Sequence, residues 1–388
     1  MNDHSSQLNK PDRAYWDIVK GIGIIAIVLG HSASRLTAFV YLWHVPLFFF
    51  ITGYLYNDRK YRSDPFAYLG RRIKSTWPKF MLYAGVHIFF HNLLVKGGVY
   101  APENLYSPSR IVTTFLLAVP YGISETTMGP LWFVPAWVTA SFLFALSMNA
   151  GDLCGKAIHD PGGKAEADHP DTLLQELISA AAAFFAGALG LWLIGAGHVF
   201  PYDLQVSLLT VPLMYLAWSF GRLSADRHPT LLSSPAFLTA FTLLSGGILA
   251  ALNIAGHFYM ELRNGQIHGV LFYPVTLLGI GFCCSLAALI CKGGKNCILR
   301  SVKRLIALLG SCSFDIMALH VLIFKLMDIA WVYVLHAGGD SASALPGYPC
   351  SFPVELGVFY RLAGIFVPVA VCIAANLLRR HIRRDPLP

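Results

Sequence analysis

The sequence is poor in charge. Only 13% of its 388 residues are Asp, Glu, Lys or Arg, against roughly a quarter in ordinary soluble domains, whereas 55% are hydrophobic and the mean hydropathy is +0.56. This shortage excludes a soluble globular enzyme and a disordered regulator. The eight cysteines show neither CxxC pairs nor the Cys/His spacing of zinc sites, so we expect no disulfide-stapled secreted domain and no metal centre. An integral membrane protein is the class that remains.

Further absences narrow the chemistry. The sequence contains no P-loop and no GxGxxG motif, so ATP and dinucleotide binding are unsupported. The first 16 residues are polar, so we expect no signal peptide before the first span. We find no internal repeat of the kind that many transporters carry, and we expect no appended soluble catalytic domain.

Apolar runs long enough to cross a bilayer, about 20 residues each, recur along the chain. The ten candidates lie at roughly 17–35, 38–56, 78–95, 129–149, 173–196, 204–222, 235–255, 270–291, 307–333 and 355–378. A further stretch, 111–121, is too short to span. We therefore predict an all-α, polytopic integral membrane protein with about ten transmembrane helices.

The basic residues orient these helices. Of the 29 Lys and Arg residues, 22 fall on one side and only four on the other if the N-terminus is cytoplasmic. Because cytoplasmic loops carry the excess of Lys and Arg, both termini are predicted inside. The net charge of +8 then marks a membrane face and does not indicate a nucleic-acid partner. The expected organisation is a cytoplasmic N-terminal segment (1–16), a transmembrane domain (17–378) and a basic cytoplasmic tail (379–388).

The first span concentrates ionisable residues where they are costly. Asp17 and Lys20 stand one turn apart, and His31 returns to nearly the same helix face about 16 Å further along the axis. One interpretation is an interfacial ion pair with a histidine bonded to a neighbouring carbonyl. The other is that His31, reached from a polar cytoplasmic entrance, acts as a general base. The sequence leaves both open.

Two later segments add candidates. His44 precedes Pro46 in the second span and, because the first loop is short, should lie near His31, either as a site residue or as a structural partner. A basic loop follows, in which Arg71, Arg72 and Lys74 serve membrane topology or bind the phosphates of an anionic cosubstrate. Arg13, at the cytoplasmic start of the first span, is grouped with them.

The last apolar runs contain a second group of polar residues. His320 lies deep, with structural and functional interpretations evenly balanced, and Lys325 and Asp328 are predicted to pair across one turn. His87 and His91 have the i, i+4 spacing of a metal pair but lack accompanying carboxylates, so we expect no metal there.

Taken in order, five segments resemble the membrane-bound acyltransferase-3 family, and the first is also similar to the fucose 4-O-acetylase group. They read RAYWDIVKGIGIIAIVLGHS, WHVPLFFFITGYL, LGRRIKSTWPKF, GPLWFVPAW and SCSFDIMALHVLIF. The most specific element is the Lys20-x10-His31 spacing followed by His44-Val-Pro-Leu-Phe-Phe. The last segment departs from the commoner tyrosine-containing version before His320.

The resemblance implies a ten-helix enzyme of the cell membrane that moves an acyl group, usually acetyl, from a cytoplasmic CoA thioester to a hydroxyl of a surface glycan or glycolipid. It implies His31 as the essential residue and acetyl-CoA as a cosubstrate, with no bound cofactor. The predicted catalytic residues are His31, Lys20, Asp17 and His44, and the predicted donor-binding residues are Arg71, Arg72, Lys74 and Arg13. The competing hypotheses are a transporter of a glycan or small solute and a non-catalytic membrane sensor.

Overall fold

The computed structural model describes residues 13–32, 34–121, 126–159, 172–226, 234–254, 259–293, 296–330 and 357–384. The chain forms two compact units. We call them the histidine unit (Arg13–His44, Phe80–Trp132 and Cys283–Pro388) and the arginine unit, which comprises Val45–Lys79 and Phe133–Phe282.

Helices make up nearly all of the described chain. They are α1 (Arg13–Gly30), α2 (Thr37–Tyr41), α3 (His44–Tyr54), α4 (Asp58–Tyr61), α5 (Pro65–Lys96), α6 (Pro108–Tyr121), α7 (Phe133–His159), α8 (Thr172–Gly195), α9 (Leu204–Asp226), α10 (Pro235–Ile254), α11 (Phe272–Lys292), α12 (Cys297–Ser311), α13 (Ser313–Ile329) and α14 (Gly357–Arg384). Within the described ranges the sole β-type pairing is an isolated bridge between Glu261 and Gln266. The predicted all-α class is confirmed.

The described ranges contain seven helical segments long and apolar enough to cross a membrane, or eight if α12 and α13 are one bent span. Large apolar side chains stand exposed along α8, α10 and α14, among them Phe185, Leu243 and Phe359. Water-soluble proteins rarely leave so many large apolar side chains exposed along whole helices. The chain is therefore a multi-pass membrane protein.

The other two predicted spans fall on α1 and α5. Three charged residues lie within the 18 residues of α1, and the apolar half of α5 includes His87, His91 and Asn92, so composition alone does not mark either as a span. The count of ten and the cytoplasmic placement of both termini stay predictions. Residues 111–121, predicted too short to span, belong to the 14-residue α6.

The first helix is shorter than the predicted 17–35, because it ends at Gly30. The hydroxyl of Ser32 donates to the Leu29 carbonyl at 3.1 Å, and Thr37 Oγ1 donates to the same oxygen at 3.5 Å. Side-chain hydroxyls thus take over carbonyl bonding where the helix stops. His31 consequently occupies the turn that closes α1.

The predicted basic loop is wrong for Arg71, Arg72 and Lys74, which lie within the 32-residue α5. Asp64 caps this helix by accepting from the Ala67 backbone N–H at 2.8 Å, and Pro65 is its first residue. An Asp-Pro pair is a strong helix-start signal that the density of positive charge obscured.

The predicted continuous span at 307–333 is also wrong. The chain bends by 81° between α12 and α13, at Cys312. Ser311 Oγ donates back to the Leu308 carbonyl at 2.7 Å, which favours an ending over continuation of the helix. The segment therefore supplies two helices with different directions.

Helices also extend into two predicted polar segments. The linker expected at 149–171 is helical as far as His159, and its remainder lies outside the described residues. The predicted tail at 379–388 begins as part of α14, which runs to Arg384. Residues 1–12 of the predicted N-terminal segment lie outside the described ranges.

Within the histidine unit, α1 packs closely on α12. A side chain at Gly21 would collide with the backbone of Ile306, and one at Gly310 would collide with the carbonyl of Asp17. Glycine at both crossing points lets the two backbones approach to contact distance. This packing fixes the orientation of the face of α1 that carries Asp17, Lys20 and His31.

Candidate active site

Rings from two helices, α2 and α13, lie beside His31. Its backbone N–H donates to the Ile27 carbonyl at 3.1 Å, which holds it in the last turn of α1, and the residue as a whole is partly exposed. The His31 ring centroid lies 5.2 Å from that of His320 and 6.2 Å from that of Tyr41. The predicted base is therefore part of a ring cluster in the histidine unit.

His44 joins this cluster through Tyr41, whose ring centroid is 4.8 Å from that of His44. His44 is buried, and its Nδ1–H donates to the Val40 carbonyl at 2.7 Å. Because a carbonyl can only accept, the neutral ring keeps its lone pair on Nε2. The predicted proximity of His31 and His44 is found in the form of a bridge by Tyr41.

Asp17 and Lys20, near the other end of α1, form the predicted ion pair. Lys20 Nζ lies 2.6 Å from Asp17 Oδ1, and the two side chains are 29% and 21% exposed. A pair this accessible to solvent contributes little to stability, on the order of 1 kcal/mol or less. The ion pair that one of the two interpretations required is therefore present. Arg13 stands exposed at the start of α1.

The arginine unit holds a separate cluster of cations and aromatic rings. The guanidinium of Arg72 lies between two rings, with its carbon 4.8 Å from the Tyr68 centroid and 4.6 Å from the Trp137 centroid. Arg72 also donates to the Tyr68 hydroxyl, while its Nε has no hydrogen-bond partner among the described residues. Such stacking fixes the plane of the guanidinium and leaves donors for an anion.

Arg71 lies beside this stack and is exposed. Its Nη1 donates to the Tyr61 hydroxyl at 2.6 Å. Burial by itself raises the pKa of the Tyr61 phenol, but the hydrogen bond and charge of Arg71, helped by Lys60, outweigh it, and the pKa lies below its usual value. Lys74 is exposed on the same helix. The structure thus places three of the four predicted donor-binding residues on one helix segment.

A further charged cluster in the arginine unit escaped sequence reasoning. Glu176 on α8 accepts from Arg62 at 3.3 Å and from Arg222 on α9, and the Trp218 ring lies against both guanidinium groups. The sequence contained one signal of this cluster, because Glu176 is the single charged residue in the 24-residue α8. This cluster ties α8 and α9 to the segment that precedes α5.

His87 and His91 both use their rings for structural bonds. His87 Nε2 donates to the Ala318 carbonyl at 2.8 Å, while its Nδ1 lies 2.9 Å from Thr127 Oγ1. His91 Nε2 donates to the Asn104 carbonyl at 2.8 Å. Nitrogens engaged in this way are poor candidates for metal ligands.

The sequence model of the acyltransferase-3 family, described as an acyltransferase domain, matches residues 13–377. The chain belongs to the acyltransferase-3 family. It is accordingly a multi-pass membrane acyltransferase, and the match takes in both the histidine unit's ring cluster and the arginine stack. No curated protein and no solved structure matches the chain.

Proposed function

We propose that this acyltransferase moves an acetyl group from cytoplasmic acetyl-CoA to a hydroxyl of a cell-surface glycan or glycolipid, in the plasma membrane. The observation that carries the proposal is the position of His31: an imidazole set in a cluster of rings at the end of α1, in a multi-pass membrane protein of the acyltransferase-3 family.

His31 is the general base of this reaction. It removes the proton of the acceptor hydroxyl while the oxygen attacks the thioester carbonyl carbon. A C–O bond forms, the C–S bond breaks, and the departing thiolate takes the proton back from the imidazolium. The products are the O-acetyl ester and free CoA. His44 supports the base through Tyr41, and the Asp17–Lys20 pair marks the polar end of the same helix.

The donor is anionic, and the arginine unit offers matching chemistry. Arg71, Arg72 and Lys74 bind its phosphates, with Arg13 as a further cation. Guanidinium groups make paired, charge-assisted hydrogen bonds to phosphate oxygens. The stack of Arg72 between Tyr68 and Trp137 supports this role, because it holds the planar group in one orientation before the donor arrives.

The decisive experiment uses inverted membrane vesicles and acetyl-CoA labelled in the acetyl group. The wild type is expected to incorporate label into the glycan or glycolipid fraction, and His31→Ala should lower this about 10²- to 10⁴-fold, the usual contribution of a general base. Lys20→Ala should lower it less. His198→Ala, which removes an exposed imidazole in the arginine unit, is the control and should leave the rate unchanged.

Two outcomes count against the proposal. Full incorporation by a well-expressed His31→Ala protein refutes the role of His31. Uptake of label across the membrane without covalent transfer would favour the transporter hypothesis instead.

A further inference from the structure

His320 is the one ring of the cluster to which the proposed mechanism gives no task. It lies near the middle of α13 and is fully buried, with 0% of its surface exposed. Its ring plane is tilted by 39° from that of His31, at the centroid distance of 5.2 Å. Two imidazoles therefore face the same small region of the histidine unit.

The hydrogen bonds of His320 define its free nitrogen. Its Nδ1–H donates to the Ile316 carbonyl at 2.9 Å, so the neutral ring carries its lone pair on Nε2. This Nε2 is buried and has no hydrogen-bond partner among the described residues. Buried polar atoms in native proteins are nearly always paired, so such an atom indicates a missing ligand or water. His87, by contrast, has partners at both nitrogens.

The helix that carries His320 is anchored on both sides of it. Before it, Asp315 accepts from the Tyr83 hydroxyl, and the Ala318 carbonyl accepts from His87. After it, Phe324 meets the His320 ring edge-on at 5.8 Å. With the backbone held and the ring bonded at Nδ1, the imidazole of His320 stays fixed beside that of His31.

We propose that His320 Nε2 accepts a hydrogen bond from a second hydroxyl of the acceptor, next to the hydroxyl that His31 deprotonates. This inference rests on the proposed function and adds a substrate class to it: acceptors with two neighbouring hydroxyl groups. The attacked hydroxyl has only one proton, which goes to His31, so a second imidazole lone pair needs a donor of its own. A neighbouring hydroxyl supplies that donor without taking part in bond making or breaking.

Competition tests the proposal without an identified acceptor. Vesicles incorporate labelled acetyl groups from acetyl-CoA in the presence of trans-cyclohexane-1,2-diol or its monomethyl ether, which differ in one hydrogen-bond donor. For the wild type we expect the diol to inhibit at about tenfold lower concentration than the ether. For His320→Phe, which keeps a ring but has no lone pair, this ratio should fall to about one.

Two further variants separate binding from folding. His320→Gln places an acceptor oxygen near the position of Nε2 and should retain most of the ratio. His198→Ala, which removes an exposed imidazole of the arginine unit, should keep the ratio of the wild type. A purely structural role of His320 would change the amount of active protein and leave the ratio unchanged.

The failures can be told apart. A wild type that incorporates no label refutes the proposed function itself. A wild type that incorporates label but responds equally to diol and ether, or to neither, overturns the role of His320 and leaves the proposed function standing. An unchanged ratio in His320→Phe overturns it as well.

Discussion

An ion pair buried within α13 gives a sharp test of how this membrane fold is stabilised. Lys325 Nζ lies 3.1 Å from Asp328 Oδ2, and the two side chains are only 2% and 1% exposed. Tyr360 on α14 donates to the second oxygen, Asp328 Oδ1, at 2.9 Å. Replacing Lys325 by methionine keeps much of the side-chain volume but removes the cation, so the carboxylate is left buried with the phenol.

The magnitude follows from this geometry. Removing one partner of a buried ion pair costs about 3–5 kcal/mol, because the remaining charge is no longer compensated. The Tyr360 hydroxyl still stabilises the carboxylate by about 1.5–3 kcal/mol, which places the expected loss toward the lower end of that range. Replacing both charges should restore most of the stability, since a well-packed apolar pair often matches a buried ion pair.

The assay is equilibrium unfolding in mixed micelles, followed by helical circular dichroism as the denaturing detergent is increased. Lys325→Met should lose about 3 kcal/mol of unfolding free energy, and Lys325→Met/Asp328→Leu should recover at least half of that loss. A single variant within 1 kcal/mol of the wild type, or a double variant less stable than the single, would refute the reasoning.

Three shorter predictions concern other contacts. Arg72→Ala should raise the KM for acetyl-CoA about tenfold with little change in kcat, since it removes one of the proposed phosphate contacts, and an unchanged KM in initial-rate kinetics would contradict this. Gly310→Val should cost about 1–3 kcal/mol in the same unfolding assay, because its side chain would meet the Asp17 carbonyl, and wild-type stability would show that the helices can separate freely. Arg71→Ala should raise the pKa of Tyr61, because the phenolate loses its cationic partner, so its absorbance band should appear at higher pH in a titration corrected with Tyr61→Phe.

Contacts between two residues of the same helix were predictable from the sequence. The Asp17–Lys20 and Lys325–Asp328 pairs each join residues one turn apart, so the helical repeat alone brings their side chains together. The ring cluster was predictable in part, because a short connection after α1 had to return the chain close to His31. Neither inference needed knowledge of distant segments.

Contacts between distant segments were not accessible in this way. Nothing local relates His320 to His31, or Glu176 to Arg62, because 289 and 114 positions separate the partners. The start of α5 was not predicted, for a different reason. The density of positive charge predicts a loop, although the Asp64-Pro65 pair marks a helix start and a helix tolerates exposed Arg and Lys.

The turn at Cys312 explains why an unbroken helix could not build this cluster. Ile306 lies against Gly21 and Gly310 lies against Asp17, so α12 runs toward the beginning of α1 as the chain proceeds. A straight continuation would carry residue 320 about 15 Å further along that direction, away from the end of α1 where His31 stands. The 81° bend redirects the chain, and α13 then brings His320 to 5.2 Å from His31. The small residues at 310–313 are thus a requirement of the site, because they let one segment contact α1 at Asp17 and again at His31.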